Sequence, residues 1–227
     1  MTTMRKGAEI AARMAIAART EELFRAAGAL REGHFALKSG RHGDAYVEKF
    51  AVLADPPATS ELVGYWAAAH RDEDGLARVD LVAGPTLGGV ILAFETGRQL
   101  GARALFAEEV SAPDGATRRA FRRGQVIGAG ERVVLVDDIL TTGGSLAAMI
   151  PAVEEAGGEI VGCHVLVDRS GTGRLTIASP VTGHHYPLDA LWTLELQTHE
   201  PGPDTCPGCA AGLPVVAPGS AGAKTGA

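Results

Sequence analysis

No segment of the chain supplies the GxxxxGK[ST] loop of a nucleotide triphosphatase, so a strand ending in aspartates has no such partner here. Cysteine is scarce as well: three residues, an odd number, suit a reducing cytoplasm better than a disulfide framework. Long uninterrupted apolar runs are also missing. Glu9, Arg13 and Arg19 break up the N-terminal stretch, which is therefore not expected to be a signal sequence. The uncharged run from Thr205 to Ala223 is interrupted by Pro207, Pro214, Pro218 and several glycines, so no membrane span is expected. Positive charge is not in excess: the net charge of −6 argues against a nucleic-acid-binding surface. What remains is a soluble cytoplasmic protein. Its 227 residues, 46% hydrophobic and 21% charged, suffice for one sizeable domain with its own core.

The most informative stretch is Val133 to Ser145, VVLVDDILTTGGS. Four apolar residues run into Asp137 and Asp138, then into Thr141, Thr142, Gly143, Gly144 and Ser145, after which an amphipathic run begins. That order predicts a buried strand, a short loop and a helix, the unit in which ligands bind beyond the carboxyl end of a parallel strand. Hydroxyls and glycines ahead of a helix offer unpaired N–H and O–H donors to an anion such as a phosphate monoester. Ionised Asp137 and Asp138 can only accept, so they suit a sugar diol or a divalent metal. Together they describe a site for a ribose 5-phosphate. The plainer alternative is a strand end whose Asp and Thr residues cap a helix.

The ordered set resembles the phosphoribosyl diphosphate signature of the type I phosphoribosyltransferases. The resemblance implies that Asp137 and Asp138 hold the ribose hydroxyls and that Thr141 to Ser145 wrap the 5-phosphate. It implies an α/β, Rossmann-like fold with a mostly parallel sheet of about five strands flanked by helices, and a small N-terminal hood.

From the N-terminus, residues 4–32 are expected to be helical, with Leu23, Phe24, Ala27 and Leu30 on one face and Thr20 as a cap. His34 to Phe50 reads as a hairpin turning at Ser39-Gly40. On its own, Lys38 in this unit is a solvated strand lysine and Tyr46 a core residue. The stretch is nevertheless similar to the hood of the orotate-specific members of the family, through Phe35, Leu37, Lys38, Ser39, Gly40 and Tyr46. That likeness implies that Lys38 reaches the base and pyrophosphate side of the site and that Tyr46 and Thr141 lie by the base.

Ala58 to His70 predicts a helix opened by Thr59 or Ser60. Val79 to Ala83 predicts a second buried strand, followed by Gly84, Pro85, Thr86, Leu87, Gly88, Gly89 and an apolar helix. Its glycines either bring backbone N–H groups against an anion or serve a tight turn. The resemblance implies that Pro85, Thr86 and Gly88 receive pyrophosphate.

After a short strand at Ala102 to Phe106, residues 108–130 read as a long loop with a β-ribbon around Ala120 to Ile127, the pattern of a functional lid or an insertion. Arg118, Arg119, Arg122 and Arg123 suit a polyphosphate, or form a solvated basic ribbon. The stretch departs from the best-known orotate-specific sequences. Glu108 and Glu109 stand near the place of an Arg-Lys pair, and the loop has neither lysine nor histidine. Arg118, Arg119, Ala120 and Phe121 resemble the Arg-Arg-Gly-Phe of other members.

Beyond the central motif, Ser145 to about Ala156 is expected to be a helix kinked at Pro151. Glu159 to Val167 predicts a strand ending in Asp168-Arg169, by itself a local salt bridge. The resemblance instead implies that Arg169 contacts the carboxylate of orotate. Pro187 to Leu196 is the last expected strand.

Cys206 and Cys209 form a single CxxC, half a zinc site that Cys163, His184, His185, His199 or a second subunit would have to complete. A redox pair lacks its usual strand-to-helix setting, and a reduced surface turn is favoured. Disorder is expected after Pro214.

The organisation so read is a helical segment over residues 1–32, a phosphoribosyltransferase domain over 33–200 with its hood at 33–56 and mobile loop at 108–130, and a partly disordered tail over 201–227. The resemblance implies transfer of a phosphoribosyl group to orotate, with Mg2+ held mainly by substrate and no side-chain ligand assigned, by a homodimer. A phosphoribosyltransferase for another base, or a regulator that binds phosphoribosyl diphosphate without turnover, are the other readings.

Overall fold

A computed structural model of the chain describes residues 2–37, 39–111 and 117–218. Helix α1 (Thr2–Ala26) leads into the hairpin β1 (Leu30–Ala36) and β2 (His42–Val47), then α2 (Lys49–Leu53) and α3 (Pro56–Ala69). The sheet unit follows as β3 (Leu81–Pro85), α4 (Gly88–Leu100), β4 (Arg103–Ser111), β5 (Thr117–Phe121) and β6 (Arg132–Leu140). Then come α5 (Gly144–Ala147), α6 (Ile150–Glu155), β7 (Glu159–Asp168), β8 (Thr176–Ala178) and β9 (His185–Thr193), with β10 (Thr198–His199) and α7 (Pro207–Ala210) closing the chain.

Seven strands form the main sheet in the order β5-β4-β3-β6-β7-β9-β8. The inner five are parallel and coincide with the five expected strands; β5 and β8 add antiparallel edges. Strand β6 lies at the centre, and residues 133–138 are buried without interruption, as both faces of a parallel sheet demand. Side chains alternate between two cores: Val134 and Val136 pack with Leu62, Trp66 and Leu92 of α3 and α4, whereas Val133 and Leu135 pack with Leu146 of α5, Ile150 and Val153 of α6, and Met149 between them.

Several local expectations are corrected. Helix α1 ends at Ala26, because Gly28 takes a left-handed φ of 66° and turns the chain into β1. Thr20 is interior to that helix, and its hydroxyl donates to the Ile16 carbonyl at 2.8 Å. Asp55, not Thr59 or Ser60, caps α3: its side chain accepts from the Ala58 N–H, and Pro56-Pro57 occupy positions whose N–H groups need no partner. The segment after the central motif splits into α5 and α6 rather than kinking within one helix, with Pro151 in the first turn of the second. Strand β4 runs on to Ser111 and pairs with β5, so the arm extends from the sheet edge, and the ribbon begins at Thr117 rather than Ala120. Beyond Pro214 the chain is placed as far as residue 218, with Val216 bridged to Phe35 in the hood. No described helix is long and apolar enough to cross a membrane.

Candidate functional site

The carboxyl ends of β3, β6 and β7 converge on one edge of the sheet. Asp137 is 8% and Asp138 3% exposed, so both carboxyls are nearly shut off from water. Asp137 accepts from the Asp138 N–H at 2.8 Å, and Asp138 accepts from the Ile139 N–H at 2.7 Å. Lys49, at the start of α2, donates to Asp138 Oδ1 at 2.9 Å and lies 2.7 Å from Oδ2. Sequence reading missed Lys49, because it stands 89 residues away from Asp138 and belongs to no recognised motif.

Burial, and secondarily the charge of Asp138, pushes the Asp137 carboxyl up to about 7. The neutral acid is then favoured in the fold while the unfolded chain ionises near pH 4, so this group's contribution to stability falls as pH rises from about 4 to about 7. Asp137→Asn is expected to remove that fall. The difference in unfolding free energy between variant and wild type, followed by urea titration, should grow in the variant's favour across this window and level off above it. A flat difference would contradict the buried, protonated acid.

Gly88, at the start of α4, faces Asp138. A Cβ there would lie 1.9 Å from Asp138 Oδ2, and one at Gly84 would lie 2.2 Å from the Gly89 carbonyl oxygen, so the β3–α4 turn closes only with glycine at these places. Gly88→Ala is therefore expected to displace the carboxylate and cost about 1–3 kcal/mol of overpacking. A lowered urea midpoint measures it; an unchanged midpoint would mean that Asp138 moves freely.

Thr141 to Ser145 and their neighbours, including Asp137, line a cavity of about 40 Å³. Thr142 Oγ1 accepts from the Gly144 N–H at 3.3 Å, and Gly143 adopts a φ of 83°. The N–H groups of Thr141, Thr142 and Gly143 donate to no acceptor among the described residues, which leaves them open to water or a ligand. Arg174 borders this loop, donating to the Thr142 carbonyl at 3.1 Å; sequence reading did not single it out.

Across the cleft, Arg119 of β5 donates to Thr86 Oγ1 at 3.1 Å and lies 3.5 Å from Glu109. The arm thereby delivers an arginine to the β3–α4 turn, where Pro85 and Gly88 are buried and Thr86 is partly exposed. Arg118, the preceding residue of β5, lines a larger cavity between the arm and α5–α6 together with Phe121, Ala148 and Pro151.

Arg169 makes no salt bridge with Asp168. The Asp168 carboxylate accepts from the Ser170 N–H at 2.7 Å instead. The Arg169 backbone N–H donates to the Leu140 carbonyl at 2.7 Å, which fixes it beside the start of the Thr141 loop. Its side chain has no hydrogen-bond or ion-pair partner among the described residues, and its Nε is buried. Burial lowers the guanidinium pKa, partly offset by nearby Tyr46. Tyr46 packs against Phe35, ring centres 5.8 Å apart. Lys38 lies outside the described residues.

The CxxC is not a surface turn. Cys206 is buried, and both cysteines face His34 and His42 of the hood rather than Cys163, His184, His185 or His199. The spacing of 172 residues between Cys206 and His34 hid this grouping from sequence reading.

Residues 51–190 match the family model described as a phosphoribosyl transferase domain. The chain is 41% identical over 199 residues to an orotate phosphoribosyltransferase of Caldicellulosiruptor saccharolyticus, covering 88% of this chain and 94% of that one. It is 43% identical to an orotate phosphoribosyltransferase of a Methylobacterium species, with 88% and 93% covered. Among solved structures, orotate phosphoribosyltransferase from Aeropyrum pernix superposes with a TM-score of 0.59 at 26% identity, over 76% of this chain and 92% of that chain.

Proposed function

The chain belongs to the phosphoribosyltransferase family and shares 41% and 43% identity with two of its orotate phosphoribosyltransferases; from that premise we propose that it transfers the phosphoribosyl group of phosphoribosyl diphosphate to orotate, releasing orotidine 5-phosphate and pyrophosphate. The observation that carries the choice of base is Arg169: a half-buried guanidinium without a partner among the described residues, beside the phosphate loop, suits a carboxylate that uracil and the purines lack.

In this reading the open N–H groups and hydroxyls of Thr141 to Ser145 bind the 5-phosphate. Asp137 and Asp138 accept from the ribose hydroxyls, and the positive charge that grows on the sugar as pyrophosphate leaves favours the ionised form of Asp137 that burial disfavours in the free protein. Lys49 holds Asp138 in place. Pro85, Thr86 and Gly88, with Arg119 from the arm, receive the pyrophosphate. Tyr46, Thr141 and Arg169 surround the base. Little acid-base chemistry is asked of the protein.

Mg2+ fits as an ion that arrives on the substrate. Asp138 is already neutralised by Lys49 and Asp137 is held toward its neutral form, so the pair carries too little charge for a dedicated divalent cage but can border a substrate-held ion. When bound, the ion neutralises charge on the leaving pyrophosphate. The reading also includes a homodimer and a cytoplasmic location.

The test is magnesium-dependent loss of orotate absorbance in the presence of phosphoribosyl diphosphate, with uracil and hypoxanthine as controls. Orotate alone should be consumed. Consumption of hypoxanthine alone would overturn the base assignment, and tight binding of phosphoribosyl diphosphate without product would make the protein a regulator.

A further inference from the structure

Four residues that the phosphoribosyl site does not use come together where the tail meets the hood. His34 of β1, His42 at the start of β2, Cys206 and Cys209 bring one ligand atom each to a single point, all within 4.8 Å of one another. None of them falls within residues 51–190, so the grouping is separate from the family-defining region.

The spacings fit one ion. Cys206 Sγ is 3.4 Å and Cys209 Sγ 3.6 Å from His34 Nε2, and Cys209 Sγ is 3.3 Å from His42 Nδ1. A tetrahedron with metal–sulfur bonds of about 2.3 Å and metal–nitrogen bonds of about 2.0–2.1 Å has nitrogen-to-sulfur edges of roughly 3.5 Å. The two imidazole nitrogens, 2.8 Å apart, need only open by roughly half an ångström to complete the figure.

The surroundings prepare the ligands. His34 Nδ1 donates to the Leu213 carbonyl at 2.9 Å, and because a carbonyl can only accept, the proton is on Nδ1 and the Nε2 lone pair is turned toward the thiols. His34 is 5% and Cys206 3% exposed, which keeps water and competing ligands away. Gly208, between the two cysteines, leaves space for the imidazole: a Cβ there would lie 2.6 Å from the His34 ring.

We propose that His34, His42, Cys206 and Cys209 bind one zinc ion in a closed Cys2His2 site that clamps the C-terminal tail onto the hood. Two thiolates with two imidazoles in tetrahedral array select zinc among the available divalent ions. Four protein ligands leave no open coordination position, so the ion is structural. The clamp reinforces weak backbone contacts: the single bridge from Val216 to Phe35 and the two-residue pairing of β10 with β2. Through β2 it steadies the strand that carries Tyr46.

Elemental analysis of the untagged full-length protein, purified without added metal or chelator, tests the proposal. One zinc per chain is expected, with none in the Cys206→Ser/Cys209→Ser double variant. If that variant fails to fold, cobalt added to metal-depleted wild type supplies the test. Thiolate-to-cobalt charge transfer and the intense bands of tetrahedral cobalt are expected, and zinc should abolish both. Protein isolated without metal that also gives no such spectrum would overturn the site. So would a Cys206–Cys209 disulfide found by mass spectrometry in freshly isolated protein, or full retention of zinc by a folded double variant.

Discussion

Arg169→Ala is expected to lower kcat/KM for orotate by about 10²-fold or more, since truncating one partner of a buried charge pair costs about 2–5 kcal/mol. Its affinity for phosphoribosyl diphosphate should stay near wild type, because the phosphate loop and the aspartates do not depend on the guanidinium. Thermal stability should hold or rise: the side chain has no partner to lose among the described residues, and its removal relieves a buried charge. Arg169→Lys should rescue little, as an ammonium cannot reproduce the planar fork that meets a carboxylate with two parallel bonds. Steady-state kinetics with orotate, a binding titration with phosphoribosyl diphosphate and a melting curve separate these effects. An Arg169→Ala enzyme with unaltered orotate kinetics would remove the reason for choosing orotate. Lower stability together with uniformly weaker binding of both substrates would make the arginine a packing residue.

The second large effect is expected from Asp137→Ala/Asp138→Ala. Carboxylates placed against charge that develops during reaction are worth about 10²–10³ in rate each, and residues acting as a unit do not add, so a fall of about 10³-fold in kcat/KM is expected for the pair. Affinity for phosphoribosyl diphosphate should fall as well, since the ribose hydroxyls lose their acceptors. The variant keeps its fold for a particular reason. Lys49, one third exposed at its side chain, can turn to water when Asp138 is removed. Unchanged affinity and turnover in a folded double variant would defeat the proposed sugar site altogether. Asp138→Asn is a useful companion, because it keeps the shape while removing the carboxylate charge that pairs with Lys49 and faces the sugar.

The catalytic reading and the zinc clamp are independent in their tests. Cobalt spectra and metal content report on His34, His42, Cys206 and Cys209 whether or not orotate is turned over. The orotate assay, in turn, reports on residues at the carboxyl edge of the sheet.

The chain's own pattern determined the five parallel strands and the two strand–loop–helix units, because a strand buried on both faces must be continuously apolar and a loop at its carboxyl end must be small and polar. Asp137, Asp138 and the Thr141 to Ser145 loop were legible for the same reason: their chemistry is contiguous in the sequence. Contacts between distant segments were not. Lys49 meets Asp138, Arg119 meets Thr86 and the cysteines meet the hood histidines only after the chain has folded. No local period encodes such meetings. The antiparallel edge β8 escaped too, since a strand of 3 residues carries too few alternations to stand out, and β5 was expected only as a ribbon starting three residues later, at Ala120. Tertiary structure alone decided that Arg169 is without a salt-bridge partner among the described residues, because only the fold turns the Asp168 carboxylate to the Ser170 N–H.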